Sequence, residues 1–363
     1  MKILFAPFIT RPGKDASYFL TCQLAAVFQA EGHIIAVCAP SANHFQNAAL
    51  YDSPSVSAHF HKKNGKAYET MLYNAGALDQ KFLEADLSSL LKAINHFKPD
   101  LIITMHRPCA LASALLTNTK VWTIVESPMY LSHPFPSYQL HAFNLFLSAH
   151  SLVQVLNLHS FYEQSDQKIG IGSIETQPWD QNENIFRIGS VLSHMEHAKQ
   201  TNRVCIYLGN TNLSDRKLKK VIQDAFAGAP YAVYACMHKT KKTKSENIQY
   251  LEEADPALLN GAIAVIHDGN AFFYDACNRL GIPQIILTDK SASRSYYSKR
   301  NERNHTGTLI EEERFSMSSL YENYRKILSD DAYWKACQDI KEKTARAGSP
   351  EDLNSLLNQI ETK

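Results

Sequence analysis

Short apolar runs rich in β-branched residues alternate along the chain with longer amphipathic segments. This alternation is typical of parallel sheets whose strands are joined by crossover helices. In the first half of the chain it predicts strands at about 2–8, 34–39, 100–105, 120–125 and 151–156. It predicts helices between them at about 16–31, 80–97, 108–117 and 136–148.

Two local signals support the ends of these helices. Gly32 follows the first helix, and glycine suits the left-handed position just after a helix C-terminus. Pro99 cannot continue a helix, and the apolar run 101–103 follows almost at once. The chain therefore changes from helix to strand near residue 99.

The pattern changes near residues 185–202. Residues 185–189 predict a last strand, and the polar stretch 194–200 predicts a linker. The alternation then restarts, with strands at about 203–208, 231–236, 262–266 and 283–287 and helices at about 214–227 and 270–280. Two such runs in series predict an α/β protein of two Rossmann-like domains that face each other across a cleft, where ligands bind beyond the carboxyl ends of the strands.

These patterns place an N-terminal domain at 1–193 and a C-terminal domain at 194–348. Ser349 and Pro350 have the chemistry of an N-cap and a first helical residue, so a final helix is expected at about 350–361. This segment, 349–363, either stays with the second domain or crosses back to the first.

Composition narrows the class of protein. The 363 residues suffice for two hydrophobic cores. Lys and Arg number 37 against 36 Asp and Glu, which argues against a nucleic-acid partner held by charge. The seven cysteines are scattered without a C-x-x-C pair, which favours a reducing compartment and no structural zinc.

The apolar run at the N-terminus is short and broken by Pro7, so it does not resemble a signal peptide. No stretch approaches the roughly 18 apolar residues that a spanning helix needs. The sequence predicts a cytoplasmic protein and leaves open a peripheral contact with a membrane surface.

The segment 264–286 carries the most chemistry. It predicts a buried strand, a tight turn at Gly269, a helix that begins near Asn270, and another buried strand. The unpaired N–H groups and the dipole at a helix N-terminus favour a phosphate there. His267 is placed to donate to a phosphate oxygen, and Asp275 to accept from ribose hydroxyls. On physical grounds alone, a plain βαβ unit with His267 in its core is the alternative.

This segment resembles the C-terminal nucleotide-sugar signature of the UDP-glycosyltransferases, a family with the GT-B fold. The family has a His at the end of a strand, a glycine two residues later, an acidic residue eight after the His, and then Gly-Val-Pro. His267, Gly269, Asp275 and the tripeptide 281–283 fall on this pattern. Asn270 stands where the family has a second glycine or a Trp, and Ala271-Phe272 stand where it has a pair of small residues.

Two further segments carry the resemblance. Residues 209–211 resemble the turn with which the family surrounds the diphosphate, and 248–251 lie where it holds the uracil base. The resemblance therefore implies a donor site of Gly209, Asn210, Thr211, Tyr250, Leu251, His267, Gly269, Asn270, Ala271 and Asp275. It also implies a UDP-sugar as co-substrate. No D-x-D pair is present in the sequence, so no metal is expected at the diphosphate.

The N-terminal half departs from the family. The usual catalytic His of the first βα loop is absent, and its position falls near Ser17. An inverting transfer needs a base for the acceptor hydroxyl. Asp15 in that loop and His106 after the strand at 101–105 are the titratable residues nearest the expected place, and Glu126 is a third candidate. One hypothesis pairs Asp15 and His106 as a dyad with exchanged roles. The alternatives are a solvated loop acid for Asp15 and a helix-cap or surface residue for His106.

These observations favour a glycosyltransferase that moves a sugar, with inversion, from a UDP-sugar to an unknown acceptor. Apolar residues at 130–131 and 143–147 suggest an acceptor with hydrophobic surface, and a core helix is the alternative interpretation of 143–147. A nucleotide-sugar epimerase or hydrolase of the same architecture is one alternative. A non-catalytic, sugar-nucleotide-binding accessory subunit is another, suggested by the missing His of the first loop.

Overall fold

A computed structural model of the protein describes residues 1–40, 45, 47–56, 65–131, 133–179, 184–192, 201–239 and 241–361. The chain forms two compact units. The first contains 1–171 and 179–187, and the second contains 172–178 and 188–363. The predicted linker, 194–200, and the predicted boundary at 193 lie outside the described residues, so that boundary stays a prediction.

The first unit is built on a seven-stranded sheet with the order β3-β2-β1-β4-β5-β6-β7. The first six strands in this order pair in parallel. The strands are β1 Lys2–Pro7, β2 Ile34–Ala39, β3 Ala49–Asp52, β4 Leu101–Met105, β5 Lys120–Val125, β6 Gln167–Ile171 and β7 Ile185–Ile188.

Helices join these strands and bury their apolar faces; those of α2 to α7 belong to one hydrophobic cluster with the sheet. They are α1 Ala16–Ala30, α2 Tyr68–Asn74, α3 Gln80–Phe97, α4 Pro108–Thr117, α5 Ser127–Tyr130, α6 His141–Ala149 and α7 Leu158–Tyr162. Helix α3 shows how local chemistry sets the bounds. Asp79 accepts hydrogen bonds from the N–H groups of Lys81 and Phe82, and Lys98 ends the helix in a left-handed conformation just before Pro99.

The predicted strand at 151–156 is wrong. Ser151 has a φ of 59°, and the side chains of Val153 and Leu156 are 75% and 90% exposed, so this apolar run lies on the surface. The Asn144 side chain holds the run by bonding the N–H and the carbonyl of Val155, each at 2.9 Å. Strand β6, which the sequence did not predict, pairs with β5 instead.

The second unit also has a seven-stranded sheet, with the order β10-β11-β9-β8-β12-β13-β14. Its pairs are parallel except β10–β11, which is antiparallel. The strands are β8 Arg203–Leu208, β9 Ala232–Met237, β10 Thr243–Ser245, β11 Ile248–Leu251, β12 Ala264–His267, β13 Gln284–Thr288 and β14 Gly307–Glu311. The two mostly parallel sheets confirm the predicted α/β class.

The helices of the second unit are α8 Asp215–Phe226, α9 Ala271–Leu280, α10 Ala292–Arg303, α11 Met317–Ser329, α12 Asp331–Arg346 and α13 Leu353–Glu361. Helices α10, α11 and α12 were not predicted. The expected final helix is present as a 3-10 turn, Pro350–Asp352, followed by α13, and this segment groups with the second unit.

Residues 188–192 group with the second unit. The backbone explains their position, because the Gly189 N–H donates to the Gly348 carbonyl at 2.9 Å. The Ser190 hydroxyl donates to Asp275 of α9 at 2.6 Å.

Candidate functional site

The carboxyl edge of the first sheet brings two of the three predicted catalytic residues together. Met105 of β4 is in register with Ile124 of β5, and His106 and Glu126 follow these strands. Because carboxyl ends of neighbouring parallel strands meet at the same edge, both side chains leave the sheet at one place. The distance from His106 Nε2 to Glu126 Oε1 is 3.5 Å.

Both side chains of this pair are largely buried, with 12% of His106 and 6% of Glu126 exposed. His106 has a φ of 58°, a left-handed conformation that is unfavourable for a residue with a Cβ. Strain of this kind persists where the surroundings fix the residue, and it is frequent at functional sites. An imidazole beside a carboxylate is a suitable proton acceptor for a hydroxyl.

A third residue, which the sequence did not predict, holds the pair from the other side. The Tyr68 hydroxyl lies 2.9 Å from His106 Nδ1 and 3.4 Å from the Tyr162 hydroxyl. Tyr68 begins α2 and is buried. No sequence pattern pointed to Tyr68, since α2 was not predicted and Tyr68 is far from His106 along the chain.

Asp15, the remaining catalytic candidate, bonds within its own loop. One carboxylate oxygen accepts from the Thr10 N–H at 2.5 Å, the Thr10 hydroxyl at 2.9 Å and the Arg11 N–H at 2.7 Å. Burial raises the pKa of Asp15, and these hydrogen bonds partly oppose that effect. The geometry assigns Asp15 the organisation of the loop between β1 and α1, whereas Glu126 is the carboxylate beside His106.

In the second unit, His267 ends β12 and is fully buried. Its Nε2 lies 2.8 Å from Gln284 Oε1, and the Gly269 N–H donates to its Nδ1 at 3.2 Å. Burial lowers the pKa of His267 to about 4, so the ring is neutral with its proton on Nε2. Both ring nitrogens are thus engaged inside the protein, and the predicted direct bond to a phosphate has no donor in this arrangement. His267 instead fixes the turn that follows it.

That turn leads directly into α9. Gly269 has a φ of 72°, and a Cβ built on it would lie 2.9 Å from Arg294 Cα. Asn270 is the N-cap of α9, and its side chain accepts from the Phe272 N–H at 2.9 Å. Ala271 is the first helical residue. Only glycine fits the turn, so the backbone at 269–271 presents the positive end of the α9 dipole at the carboxyl edge of the sheet.

Asp268 and Arg294 also contribute to the site, and neither was predicted from the sequence. The Asp268 carboxylate accepts from the Asn210 N–H at 2.6 Å. Arg294 donates to the carbonyls of Asp268 and Leu287 at 2.7 and 3.0 Å, and to the carboxylates of Asp289 and Glu312 at 2.5 and 2.6 Å. Burial alone would lower the pKa of Arg294, but Asp289 and Glu312 raise it, so the guanidinium stays charged. Asp268 lies between His267 and Gly269 in the predicted turn, so its place in the sequence could have identified it as a site residue. Arg294 could not be identified in this way, because it lies in helix α10, which was not predicted.

The predicted diphosphate loop, 209–211, follows β8, which is the neighbour of β12. The Thr211 hydroxyl lies 3.3 Å from His238 Nε2. Beyond this loop the Asn212 N–H bonds Glu312 at 3.1 Å. The carboxylates of Asp268 and Glu312 therefore connect this part of the chain to the ends of β12 and β14. Residues 209–211 lie at the same edge of the sheet as Gly269.

Asp275 lies inside α9 and is buried. Its carboxylate accepts from the Ser190 hydroxyl, and burial raises its pKa to about 7. The carboxylate thus holds the segment that enters the second unit. A bond from Asp275 to a ribose stays a prediction.

Tyr250 is a core residue. Its side chain belongs to the hydrophobic cluster of the second sheet, and Lys219 lies 5.0 Å above its ring. Along β11, Ile248 and Tyr250 are buried while Gln249 and Leu251 are partly exposed. Any base contact at this strand would involve Leu251 or the backbone, because the Tyr250 ring faces the core.

Within the described ranges, no three His, Cys, Asp or Glu side chains are grouped so that they would hold a metal ion. The same residues include no helix with the length and apolar character needed to cross a bilayer.

No protein-family model matches the chain. The aclacinomycin-T 2-deoxy-L-fucose transferase of Streptomyces galilaeus is 23% identical to it over 167 residues. This match spans 44% of the chain and 38% of the length of that relative.

Solved structures resemble the protein over nearly its whole length. The spinosyn rhamnosyltransferase SpnG, complexed with thymidine diphosphate, has a TM-score of 0.71 at 16% identity and covers 99% of this chain and 100% of its own. SsfS6, a Streptomyces sp. SF2575 glycosyltransferase complexed with thymidine diphosphate, has a TM-score of 0.71 at 14% identity, with 99% of each chain covered. The calicheamicin glycosyltransferase CalG4 has a TM-score of 0.71 at 14% identity, with 99% and 98% covered. The protein therefore has the GT-B fold of these glycosyltransferases.

Proposed function

We propose that the protein is a glycosyltransferase that transfers a sugar from a nucleoside diphosphate to an acceptor hydroxyl. The observation that carries the proposal is the His106–Glu126 pair, at the carboxyl edge of β4 and β5, in a chain with this fold. Fold alone does not fix function, so the chemistry of this pair is essential to the argument.

The donor is a pyrimidine nucleotide sugar. The sequence signature at 267–283 favours a UDP-sugar. The thymidine diphosphate in the complexes of SpnG and SsfS6 supports a dTDP-sugar as the alternative. Both nucleotides carry the same diphosphate, so contacts with the 5-methyl group of the base and with the 2′-hydroxyl of the ribose distinguish them.

The N-terminus of α9 is the proposed diphosphate site. Gly269 lets the backbone approach closely, Asn270 caps the helix, and the helix dipole stabilises negative charge. His267 contributes by holding the Gly269 N–H and the turn in place. No metal takes part in this proposal, because the helix N-terminus supplies the positive potential.

The proposed reaction is a single displacement. The His106–Glu126 pair accepts the proton of the acceptor hydroxyl, and the oxygen attacks the anomeric carbon. The bond between that carbon and the diphosphate oxygen breaks, its electron pair leaves with the diphosphate, and the anomeric configuration is inverted. The acceptor is expected to have apolar surface, as the residues at 130–131 suggest.

A second candidate is a non-catalytic subunit that binds a sugar nucleotide. Two N–H groups near the predicted diphosphate loop, those of Asn210 and Asn212, already bind the carboxylates of Asp268 and Glu312. This arrangement leaves fewer backbone donors for a diphosphate. Fewer donors favour weak binding of the sugar nucleotide. Weak binding is more compatible with an accessory subunit than with an enzyme that turns the nucleotide over.

The experiment measures release of UDP or dTDP from a panel of sugar donors, incubated with a mixture of hydroxylated apolar acceptors. Mass spectrometry identifies any glycosylated product. We expect one nucleotide series to give product, with no loss of rate in EDTA. Nucleotide binding by calorimetry without turnover for any donor would favour the accessory subunit, and no binding of either nucleotide would refute both candidates. Activity that EDTA abolishes and Mn²⁺ restores would contradict the metal-free donor site.

A further inference from the structure

The Tyr68 hydroxyl connects the His106–Glu126 pair to the interior of the first unit. It lies 2.9 Å from His106 Nδ1 and 3.4 Å from the Tyr162 hydroxyl. The Tyr68 ring is buried and packs beside the His106 ring, with 5.6 Å between their centroids. The four side chains Tyr162, Tyr68, His106 and Glu126 therefore form one continuous polar chain.

Both phenols keep their protons. Burial raises the pKa of Tyr68 well above its ordinary value and raises the pKa of Tyr162 as well. A neutral phenol donates one hydrogen bond and accepts others. Neither tyrosine is therefore a proton acceptor in the reaction, and each has a single proton to direct.

The partners of His106 fix the direction of every bond in the chain. Glu126 Oε1 lies 3.5 Å from His106 Nε2, an ion-pair distance at which the negative carboxylate favours a proton on Nε2. In a neutral imidazole the other nitrogen, Nδ1, is then an acceptor, and it receives the Tyr68 proton. The Tyr68 oxygen in turn accepts from Tyr162. With the proton on Nε2, this is the direction in which Tyr162, Tyr68 and His106 donate and accept in sequence.

The backbone of His106 supports the same orientation. Its φ of 58° places the residue in a left-handed conformation between β4 and α4. The next residue, Arg107, is buried and pairs with Asp86, with 3.0 Å between Arg107 Nε and Asp86 Oδ2. The backbone on either side of the imidazole is thus anchored by the strand and by this buried ion pair.

We propose that Tyr68 is a positioning residue that holds His106 in the Nε2–H tautomer, and that Glu126 therefore takes the proton of the acceptor hydroxyl. This inference rests on the proposed glycosyltransferase function. In the step, the acceptor O–H proton moves to the Glu126 carboxylate as the acceptor oxygen bonds the anomeric carbon and the diphosphate leaves with the electron pair. His106 Nε2–H orients Glu126, and Tyr68 prevents the imidazole from adopting the other tautomer.

The tautomer is measured directly, without turnover. Two-bond ¹H–¹⁵N spectra of the full chain labelled at histidine distinguish Nδ1 from Nε2 protonation, and the His106 signals are those absent from His106→Gln. We expect the Nε2–H form in the wild type. In Tyr68→Phe, which lacks only the hydroxyl, we expect the His106 signals to shift toward a mixture of tautomers.

Kinetics provide the second measurement. Tyr68→Phe is expected to lower kcat roughly 10-fold while the KM for the donor stays unchanged, because the hydroxyl acts on the base and not on the nucleotide. Glu126→Gln is expected to lower kcat by roughly 10²–10⁴-fold, the range for loss of a general base. The control is Tyr138→Phe, a tyrosine of the same unit whose side chain is 62% exposed, and it should change neither measurement.

An Nδ1–H tautomer in the wild type would overturn the proposal. So would a Tyr68→Phe protein with wild-type His106 signals and kcat, or near-normal turnover in Glu126→Gln. If the wild type turns over no donor, the proposed function fails, but the spectra still show whether Tyr68 sets the tautomer. Thermal melting of each variant identifies a folding defect. If Tyr68→Phe has such a defect, Tyr162→Phe serves as a second variant. A smaller shift of the same His106 signals in Tyr162→Phe would support the connection from Tyr162 through Tyr68 to His106.

Discussion

Gln284 and His267 form a buried hydrogen bond of 2.8 Å between neighbouring strands of the second sheet, β13 and β12. The Gln284 amide also donates to Asn278 of α9 at 3.2 Å, so the imidazole is connected to the helix that follows it. His267 is therefore a structural part of the candidate donor site, and its neutral form is the one that the fold stabilises.

Acid is expected to destabilise the protein through His267. Its pKa is about 4 in the folded protein and about 6.5 when unfolded, so the unfolded chain binds the extra proton between these values. The stability from this group is present above pH 6.5 and is lost as the pH falls toward 4, by at most roughly 3 kcal/mol. Urea unfolding from pH 7.5 to 4.5 measures this loss. His267→Gln, which does not titrate, should show a smaller loss over the same range, and an identical pH profile would contradict the prediction.

Gly269→Ala is expected to destabilise the protein and weaken nucleotide binding. The variant combines a positive φ, which costs about 1 kcal/mol or more for alanine, with a Cβ 2.9 Å from Arg294 Cα. Gly32→Ala is a matched control, because Gly32 has a φ of 83° but no atom within 4 Å of the added Cβ. We expect Gly32→Ala to show only the conformational cost and normal UDP or dTDP affinity in calorimetry. Equal effects of the two variants would show that the contact with Arg294 is unimportant.

The sequence predicted most of the central strands because their apolar runs are long and uninterrupted. Strands β2, β5 and β8 and helices α3 and α4 begin and end where the pattern placed them. The apolar run at 151–156 was misleading, because apolar composition alone does not distinguish a buried strand from an exposed loop. Helix α10 is largely polar, and it was missed because it has no apolar period.

The candidate site was predictable only in part. His106 and Glu126 each end an apolar run, but their contact depends on β4 and β5 being neighbours, which the sequence alone does not specify. Tyr68 approaches from α2, a segment with no recognised pattern. At Tyr250, the resemblance to the family predicted a base contact, whereas the burial along β11 turns this side chain toward the core.

Asp275 is expected to act in the opposite direction to His267. Burial raises its pKa from 3.8 to about 7, so the folded protein keeps a proton that the unfolded chain has lost between these values. The protein is therefore most stable, with respect to this group, below pH 4, and it loses up to roughly 4 kcal/mol as the pH rises to 7. Asp275→Asn removes this dependence. Its melting temperature relative to the wild type should rise between pH 5 and pH 8, and a constant difference would contradict the shift.

Arg294→Lys is expected to loosen the donor site although it keeps the charge. The guanidinium bonds two carbonyls and two carboxylates at once, and an ammonium cannot reproduce this planar geometry. The loss of hydrogen bonds to Asp289 and Glu312, both largely buried, should cost about 1–3 kcal/mol of folding stability. Because Arg294 also contacts the Asp268 carbonyl beside Gly269, nucleotide affinity should fall as well.

Arg314→Lys is the control, since Arg314 is exposed in the same unit and its substitution should change stability by less than about 0.5 kcal/mol. If Arg294→Lys lowers stability but leaves UDP and dTDP affinity unchanged, Arg294 supports the sheet edge without organising the turn at Gly269.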